Sequence, residues 1–206
     1  MLNAIFDKEI NPDRNLHNIV RHEYRYFSPH NFDIYKNNLS DCNLMLSILH
    51  NNVISLKRNI EAFQNNLLCE LNYPFSIIGV SETRIVGNQP LDFNADLPAC
   101  YIFEHVSTPL SAGGVGIYIA DNTNYLIVEK TSNIYFQTLW IELVKEDKQS
   151  IICDVLYRQH NDPTKFLDYL SETLYNFNKS SKTVCIMGDF NIDLLKYESL
   201  NIARNF

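Results

Sequence analysis

Short apolar runs, separated by turn-forming residues and by two longer segments of helical periodicity, constrain the fold of this chain more than any other feature. The runs lie at 44–49, 75–80, 100–103, 115–119, 125–129, 139–144, 151–157 and 183–187. Short runs rich in β-branched and aromatic residues predict strands, whereas apolar residues that recur every three to four positions predict helices at 56–71 and 163–177. The order is strand–helix–strand, then a succession of hairpin strands, then helix–strand. This order predicts an α+β sandwich with mixed sheets inside and helices outside.

Local signals mark the ends of both predicted helices. Ser55 precedes the first helix and Asp162 precedes the second, and both residue types cap helix N-termini because their side chains accept hydrogen bonds from backbone N–H groups. Pro163 fits a first helical turn. The charged segment 145–149 separates two strand runs and predicts a hairpin connection between them.

The length and composition are those of one globular domain with an extension. We place the domain at 42–206 of the 206 residues and a polar, irregular leader at 1–41. No apolar run reaches the ~18 residues that a membrane-spanning helix needs, and the N-terminal residues lack the apolar segment of a secretory signal. Five cysteines, an odd number without a Cys-x-x-Cys pair, favour a reduced protein. We therefore expect an intracellular protein, in the nucleus or cytoplasm, that is not secreted and does not contact a membrane.

The net charge of −7 limits the kinds of partner. It argues against non-specific wrapping of long nucleic acid, because phosphate binding depends on Lys and Arg. A local nucleic-acid site around a bound cation stays compatible with this charge, since the cation itself offsets acidic groups.

Polar side chains recur at the ends of three predicted strands. Asn52 follows the first run, Glu82 follows the second, and Asp189 and Asn191 follow the last. A strand-ending turn is the simpler interpretation, because Gly, Asp and Asn all favour turns. If the strands are neighbours, however, these groups meet at one edge of the sheets. Carboxylate and amide oxygens suit a hard divalent cation such as Mg²⁺, and the Asp could take a proton from water.

Another polar pair follows a further predicted strand. Tyr157 ends the run 151–157, and Arg158 follows it. A phenol and a guanidinium can both donate hydrogen bonds to a phosphate, which makes this pair a candidate phosphate-binding site.

Five motifs occur in the order and approximate spacing of one superfamily. They are Asn52-Val53-x-Ser55-Leu56, Ser81-Glu82-Thr83, Gly113-Gly114-Val115-Gly116-Ile117-Tyr118, Tyr157-Arg158 and Gly188-Asp189-Phe190-Asn191. From residue 43 to about 195 the chain resembles the endonuclease/exonuclease/phosphatase (DNase I-like) domain. It is most similar to the apurinic/apyrimidinic-endonuclease-like domain of non-LTR retrotransposon polyproteins. The resemblance implies a four-layer sandwich of two mixed sheets packed face to face with helices outside.

The resemblance also implies an activity. It implies a hydrolase that cuts DNA phosphodiester bonds with Mg²⁺, for which Mn²⁺ could substitute, and a reverse transcriptase domain downstream in a longer chain. Whether this chain is an active enzyme is left open at this stage.

The resemblance assigns roles position by position. Glu82 is similar to the metal ligand of the family, and Asn52 to the Asn that helps to organise the metal. Asp189 is similar to the residue that orients and deprotonates the attacking water, Asn191 to the group that stabilises the pentacoordinate phosphate, and Tyr157 to the tyrosine that hydrogen-bonds the phosphate.

The chain also departs from the family pattern. Gln159-His160 stands where relatives commonly carry Pro-Pro, and Arg84 stands where many carry Trp. After Asn191 no Ser-Asp-His segment matches the family, so we expect a C-terminally incomplete domain with impaired activity.

Two alternatives follow from these departures. One is a non-catalytic remnant of such a domain, and the other is a phosphatase of the same fold that acts on a small phosphoester. Substitution of the missing His by His50, His105 or His160 is a further hypothesis, although a lone His is more often structural.

Overall fold

Eight strands form two four-stranded mixed sheets in the part of the chain that the structure describes. The structure is a computed structural model that describes Phe32 and residues 46–87, 90–97, 101–144, 150–179 and 182–192. The strands are β1 (Ile48–Asn52), β2 (Ile77–Ser81), β3 (Tyr101–Val106), β4 (Val115–Ala120), β5 (Tyr125–Ser132), β6 (Phe136–Leu143), β7 (Ile151–Arg158) and β8 (Thr183–Asp189). The helical elements are α1 (Leu56–Ala62), a π-helical segment (Phe63–Leu68), α2 (Cys69–Leu71) and α3 (Thr164–Lys179).

Each sheet contains one parallel and two antiparallel pairings. The first sheet has the order β1-β2-β4-β3, in which β1 and β2 are parallel. The second has the order β5-β6-β7-β8, in which β7 and β8 are parallel. Because the carboxyl ends of parallel neighbours lie at the same edge, each sheet presents two strand ends at one rim.

The main core lies between the two sheets. In β4 the alternate residues Val115, Ile117 and Ile119 point inward and are fully buried. They face residues of the second sheet such as Ile141 and Val155. Burying one such side chain stabilises the fold by about 1.5–3 kcal/mol, so the alternating pattern of the sequence drives the sheets together.

Helices cover the outer faces of both sheets. Leu56 of α1 and Phe63 of the π-helical segment pack against Ile78, Val80 and Tyr118, which point outward from the first sheet. On the second sheet, Phe166 and Leu170 of α3 pack against outward-facing residues, among them Trp140, Ile152 and Leu156. The predicted α+β sandwich of two mixed sheets with helices outside is confirmed.

The first strand differs from its prediction. The apolar run suggested a strand at 44–49, whereas β1 begins at Ile48 and ends at Asn52. Its ladder pairs Ile48 with Ile77 and Asn52 with Ser81, so β1 spans the same five positions as its fully buried partner β2. Residues 44 and 45 lie outside the described residues.

The start of the first helix also differs from its prediction. Ser55 has a φ of 90° and makes no side-chain cap. Its backbone N–H instead donates to the carbonyl of Glu82 at 2.7 Å, and the N–H of Leu56 donates to the carbonyl of Thr83 at 2.9 Å. The loop that follows β2 thus satisfies the first two N–H groups at the start of the helix, which otherwise lack a partner within the helix.

The other local predictions have mixed outcomes. The second helix begins at Thr164, whose N–H donates to the Asp162 carboxylate at 3.0 Å, as a capping role requires. β6 and β7 are antiparallel, as a hairpin requires, but the connection between them at 145–149 lies outside the described residues.

The leader at 1–41 also lies outside the described residues except for Phe32, which packs against the core between the first sheet and its helices. No helix in the described ranges is long and apolar enough to cross a bilayer.

Candidate active site

Four strands from the two sheets bring polar side chains to one rim of the sandwich. Asn52 is the last residue of β1, Glu82 directly follows β2, and Asp189 is the last residue of β8. Tyr157 and Arg158 end β7, where Tyr157 pairs with Asp189. Groups that are far apart in the sequence therefore converge at neighbouring strand ends.

The side-chain amide of Asn52 joins the two carboxylates. Its Nδ2 donates to Glu82 Oε1 at 3.3 Å and to Asp189 Oδ2 at 2.9 Å. Its Oδ1 accepts from the backbone N–H of Ile54 at 3.2 Å, which fixes the orientation of the amide. Two carboxylates on one amide create a locally negative site that favours a cation.

Backbone hydrogen bonds hold Glu82 in its position. Its φ is +54°, a left-handed conformation that costs a non-glycine residue about 1–2 kcal/mol. The carbonyl of Glu82 accepts the Ser55 N–H, and the next N–H, that of Thr83, donates to Gly114 at 3.1 Å. Arg84 lies 3.4 Å from the Glu82 carboxylate, and the Glu82 side chain is 15% exposed. The carboxylate is therefore held in place and reachable from solvent.

The segment after Gly188 fixes the second carboxylate. The N–H of Asn191 donates to Asp189 Oδ1 at 3.0 Å, and Asn191 has a φ of +49°. The Asn191 side chain donates to the carbonyl of Arg158, and it also contacts the hydroxyl of Tyr157. Asn191 thus links the ends of β7 and β8.

The Tyr157 hydroxyl stays protonated at neutral pH. Burial raises the pKa of Tyr157, and the nearby Glu82 and Asp189 carboxylates raise it further, whereas the hydrogen bond with Asn191 lowers it. A protonated phenol can donate a hydrogen bond to an anionic oxygen. Tyr157 is only 1% exposed, however, so its assignment as a phosphate-binding residue stays a prediction.

The sequence suggests that Arg158 is available to bind a phosphate, but the structure places its side chain in a buried position. It is 5% exposed, and its guanidinium donates to the backbone carbonyls of Phe190, Asn191 and Asn161. These bonds favour a role in holding the 189–191 segment. Its assignment as a phosphate ligand stays a prediction.

The histidines considered from the sequence occupy three different places. His50 lies on β1 two residues before Asn52, and its Nε2 is 3.2 Å from Ser81 Oγ. Burial lowers the pKa of His50, and the Asp189 carboxylate opposes this shift. His160 is exposed beyond β7, and His105 stacks on Phe103 in β3. Of the three, His50 is the one whose pKa responds to a carboxylate of the pair, that of Asp189.

The donor set suits a loosely held divalent cation. Among the described residues, no three His, Cys, Asp and Glu side chains form a ready cage. The available ligands are the carboxylates of Glu82 and Asp189 and the amide of Asn52. Mg²⁺ in enzymes commonly binds one or two carboxylates and keeps several waters or substrate phosphates, so the residues present fit this ion.

The sequence did not indicate that Gln137 and Gln159 are buried behind the rim. Gln137 in β6 is 0% exposed and Gln159 after β7 is 8% exposed. A glutamine flanked by apolar strand residues, as in Tyr135-Phe136-Gln137, is the signal that could have found the first of them.

Comparison with solved structures identifies the fold. The catalytic domain of Xenopus laevis APE2 matches with a TM-score of 0.56 and 13% sequence identity, over 78% of this chain and 66% of that one. Truncated Caenorhabditis elegans TDP2 matches with a TM-score of 0.51 and 12% identity, over 72% of this chain and 63% of that one. The fold of this chain is DNase I-like. No protein-family model and no curated protein sequence matches the chain.

The match with this fold covers part of the solved structures. A second Caenorhabditis elegans TDP2 structure matches with a TM-score of 0.50 and 12% identity, over 85% of this chain and 71% of that one. The chain spans about two thirds of the length of the first two structures, 66% of APE2 and 63% of truncated TDP2.

Proposed function

We propose that this chain is a Mg²⁺-dependent phosphodiesterase domain that hydrolyses DNA, with Mn²⁺ as a possible substitute for Mg²⁺. One observation carries the proposal: the Asn52 amide joins the Glu82 and Asp189 carboxylates, although Asn52 and Asp189 are 137 residues apart. The DNase I-like fold supports it. So does the order of the five sequence motifs, in which these residues lie.

Each residue has a chemical role in this proposal. The Asp189 carboxylate accepts the proton of the attacking water, because a carboxylate at the rim can act as a general base. Asn191 and the protonated Tyr157 would donate hydrogen bonds to the phosphate oxygens as negative charge develops on them. For this, a bound phosphate replaces the hydrogen bonds that the Asn191 amide makes with the Arg158 carbonyl and with Tyr157. Glu82 and Asn52 would hold Mg²⁺, which supplies charge stabilisation to the phosphate when bound.

Nicking of supercoiled plasmid tests the proposal. We expect Mg²⁺-dependent nicking that EDTA abolishes and that Asp189→Asn lowers by about 10²-fold or more, the usual cost of losing one preorganised catalytic group. Asp168→Asn is the matched control, because Asp168 is an exposed aspartate on the outer helix α3. It should nick as fast as the wild type.

The other outcomes separate the alternatives. Binding of DNA without nicking would identify a non-catalytic remnant. Hydrolysis of a small phosphoester but not of plasmid would identify a phosphatase. Equal nicking by Asp189→Asn and wild type would contradict the assigned role of Asp189.

We further propose that the domain derives from a non-LTR retrotransposon polyprotein, in which a reverse transcriptase domain follows it. The spacing of the motifs from Asn52 to Asn191 supports this origin. Sequencing of the coding DNA beyond codon 206 tests it. A Ser-Asp-His segment followed by reverse transcriptase motifs is the expected result, and an unrelated sequence would contradict it.

A further inference from the structure

Two buried glutamines hold the glycine loop that lies behind the rim. Gln137 Oε1 accepts the N–H of Gly114 at 3.1 Å. Gln159 Nε2 donates to the carbonyl of Ala112 at 3.0 Å and lies 3.4 Å from Gln137 Oε1. Gln137 Nε2 donates in turn to the carbonyl of Asn133 at 2.6 Å. The two amides therefore hold the loop at two backbone groups, the Gly114 N–H and the Ala112 carbonyl.

The glycine loop packs so closely against its neighbours that neither glycine could carry a Cβ atom without a clash. A Cβ added at Gly113 would lie 2.3 Å from Gln137 Oε1 and 2.7 Å from Gln159 Nε2. One added at Gly114 would lie 2.5 Å from Thr83 Oγ1. Both glycines have positive φ values, 100° and 81°. Close packing of this kind transmits the position of the amides to the backbone of the loop.

The glycine loop in turn holds the Glu82 loop. The carbonyl of Gly114 accepts the Thr83 N–H at 3.1 Å, and the carbonyl of Gly113 accepts the Arg84 N–H at 2.8 Å. Glu82 and Arg84, on either side of Thr83, have φ values of +54° and +55°. Such left-handed residues persist only when their surroundings enforce them.

We propose that Gln137 and Gln159 are positioning residues that set the place of the Glu82 carboxylate through the Gly113–Gly114 loop. The inference rests on the proposed function for its catalytic meaning, since Glu82 is the metal ligand there. It also gives a role to Gln159, which stands where relatives commonly carry proline. Outer residues of this kind typically change metal affinity or activity by about 10–100-fold when they are altered.

The two amides differ in what they supply, and this difference gives a sharp test. Gln137 serves the loop through an acceptor, so Gln137→Glu keeps that acceptor, and the buried, neutral acid can still donate to Asn133. Gln159 acts through N–H donors, one to the Ala112 carbonyl of the loop and one toward Gln137 Oε1, and Gln159→Glu, which has the same shape, loses at least one of them. We therefore expect Gln137→Glu to preserve the Glu82 loop and Gln159→Glu to loosen it.

Amide hydrogen exchange without added metal measures how firmly the Glu82 loop and the glycine loop are held. Gln159→Glu should speed exchange of the Thr83, Arg84 and Gly114 N–H groups by about tenfold or more, whereas Gln137→Glu should leave it unchanged. Thr138→Val is the control, because Thr138 is equally buried on β6 but hydrogen-bonds Asp154. It should lower stability without changing exchange in the loop. If Gln159→Glu does not fold, Gln159→Asn replaces it, because the shorter side chain moves the amide away from both acceptors.

The Mg²⁺ concentration for half-maximal nicking measures the catalytic consequence. It should rise about tenfold or more in Gln159→Glu and stay unchanged in Gln137→Glu and Thr138→Val. Equal exchange in Gln159→Glu and wild type would overturn the inference. If Gln159→Glu speeds exchange but the wild-type chain does not nick plasmid, the positioning role is supported and the proposed function is contradicted. The failure of one proposal can therefore be told from the failure of the other.

Discussion

Asp154, in the middle of β7, is a buried carboxyl whose environment is incompletely satisfied. It is 0% exposed, and its Oδ1 accepts from Thr138 Oγ1. Among the described side chains, its Oδ2 is a buried polar atom without a hydrogen-bond partner. Burial raises the pKa of Asp154 well above 3.8, although the hydrogen bonds from Thr138 and from the Leu139 backbone oppose this shift. Burial therefore favours the neutral form of Asp154 in the folded protein.

Asp154→Asn should stabilise the protein, and more so at higher pH. The folded state binds the Asp154 proton more tightly than the unfolded state, so stability from this group falls as pH rises from the ordinary value of 3.8 toward the raised native pKa. An amide does not ionise, so Asp154→Asn does not lose stability in this way as pH rises. Urea unfolding at pH 5 and pH 8 measures the gain, which should be larger at pH 8.

The exposed Asp168 provides the control for this prediction. Asp168→Asn should change stability little at either pH, because surface substitutions usually stay within about 0.5 kcal/mol. A gain from Asp154→Asn that is the same at both pH values would contradict the neutral state of Asp154.

The parallel pair β7 and β8 determines where Asp189 lies. β8 passes so close to β7 that a Cβ at Gly188 would lie 2.1 Å from the carbonyl oxygen of Leu156. Gly188 has a φ of +149°, so glycine permits both the conformation and the close approach. The position of the catalytic candidate Asp189 therefore depends on the glycine that precedes it.

Gly188→Ala should destabilise the protein more than Gly87→Ala. Gly87 has a φ of +74° but no atom within 4 Å of an added Cβ. Gly87→Ala should thus cost only the roughly 1–2 kcal/mol of an L-residue in this region. Gly188→Ala should add about 1–3 kcal/mol of overpacking and lower nicking. Urea unfolding of both variants checks this order, and equal costs would show that the two strands can move apart freely.

At the scale of the whole molecule, burial between the sheets holds the sandwich together. Ile117 of β4 is 0% exposed in the central core, whereas Ile127 of the edge strand β5 is 45% exposed. Both residues are isoleucines in strands, so they form a matched pair that differs in burial.

Ile117→Ala should lower the free energy of unfolding by about 2–5 kcal/mol, because it removes buried methyl groups and leaves a cavity. Ile127→Ala should change it by less than about 1 kcal/mol. Denaturant titration followed by the fluorescence of Trp140, which lies under α3 on the second sheet, measures both. Similar losses in the two variants would place the main core elsewhere.

The sequence by itself determined the elements and the residue types at their ends. Short apolar runs and helical spacing depend on which residues are buried, so they predicted the strands, both helices and the α+β sandwich. The apolar run before Gly188 placed Asp189 at the end of a strand, and the run before Ser81 placed Glu82 there as well. These signals are local, because a side chain's face follows from its position within one element.

Only the tertiary structure decided which of these ends meet. The hydrogen bond between Asn52 and Asp189 depends on the packing of β1 against β8 across the two sheets, a contact that no local pattern encodes. The same holds for Ser55, whose side chain makes no cap and whose N–H donates to the Glu82 carbonyl. It also holds for Arg158, whose buried guanidinium donates to three backbone carbonyls. Buried polar groups must find partners wherever the fold supplies them, and those partners are fixed by strand order and sheet packing.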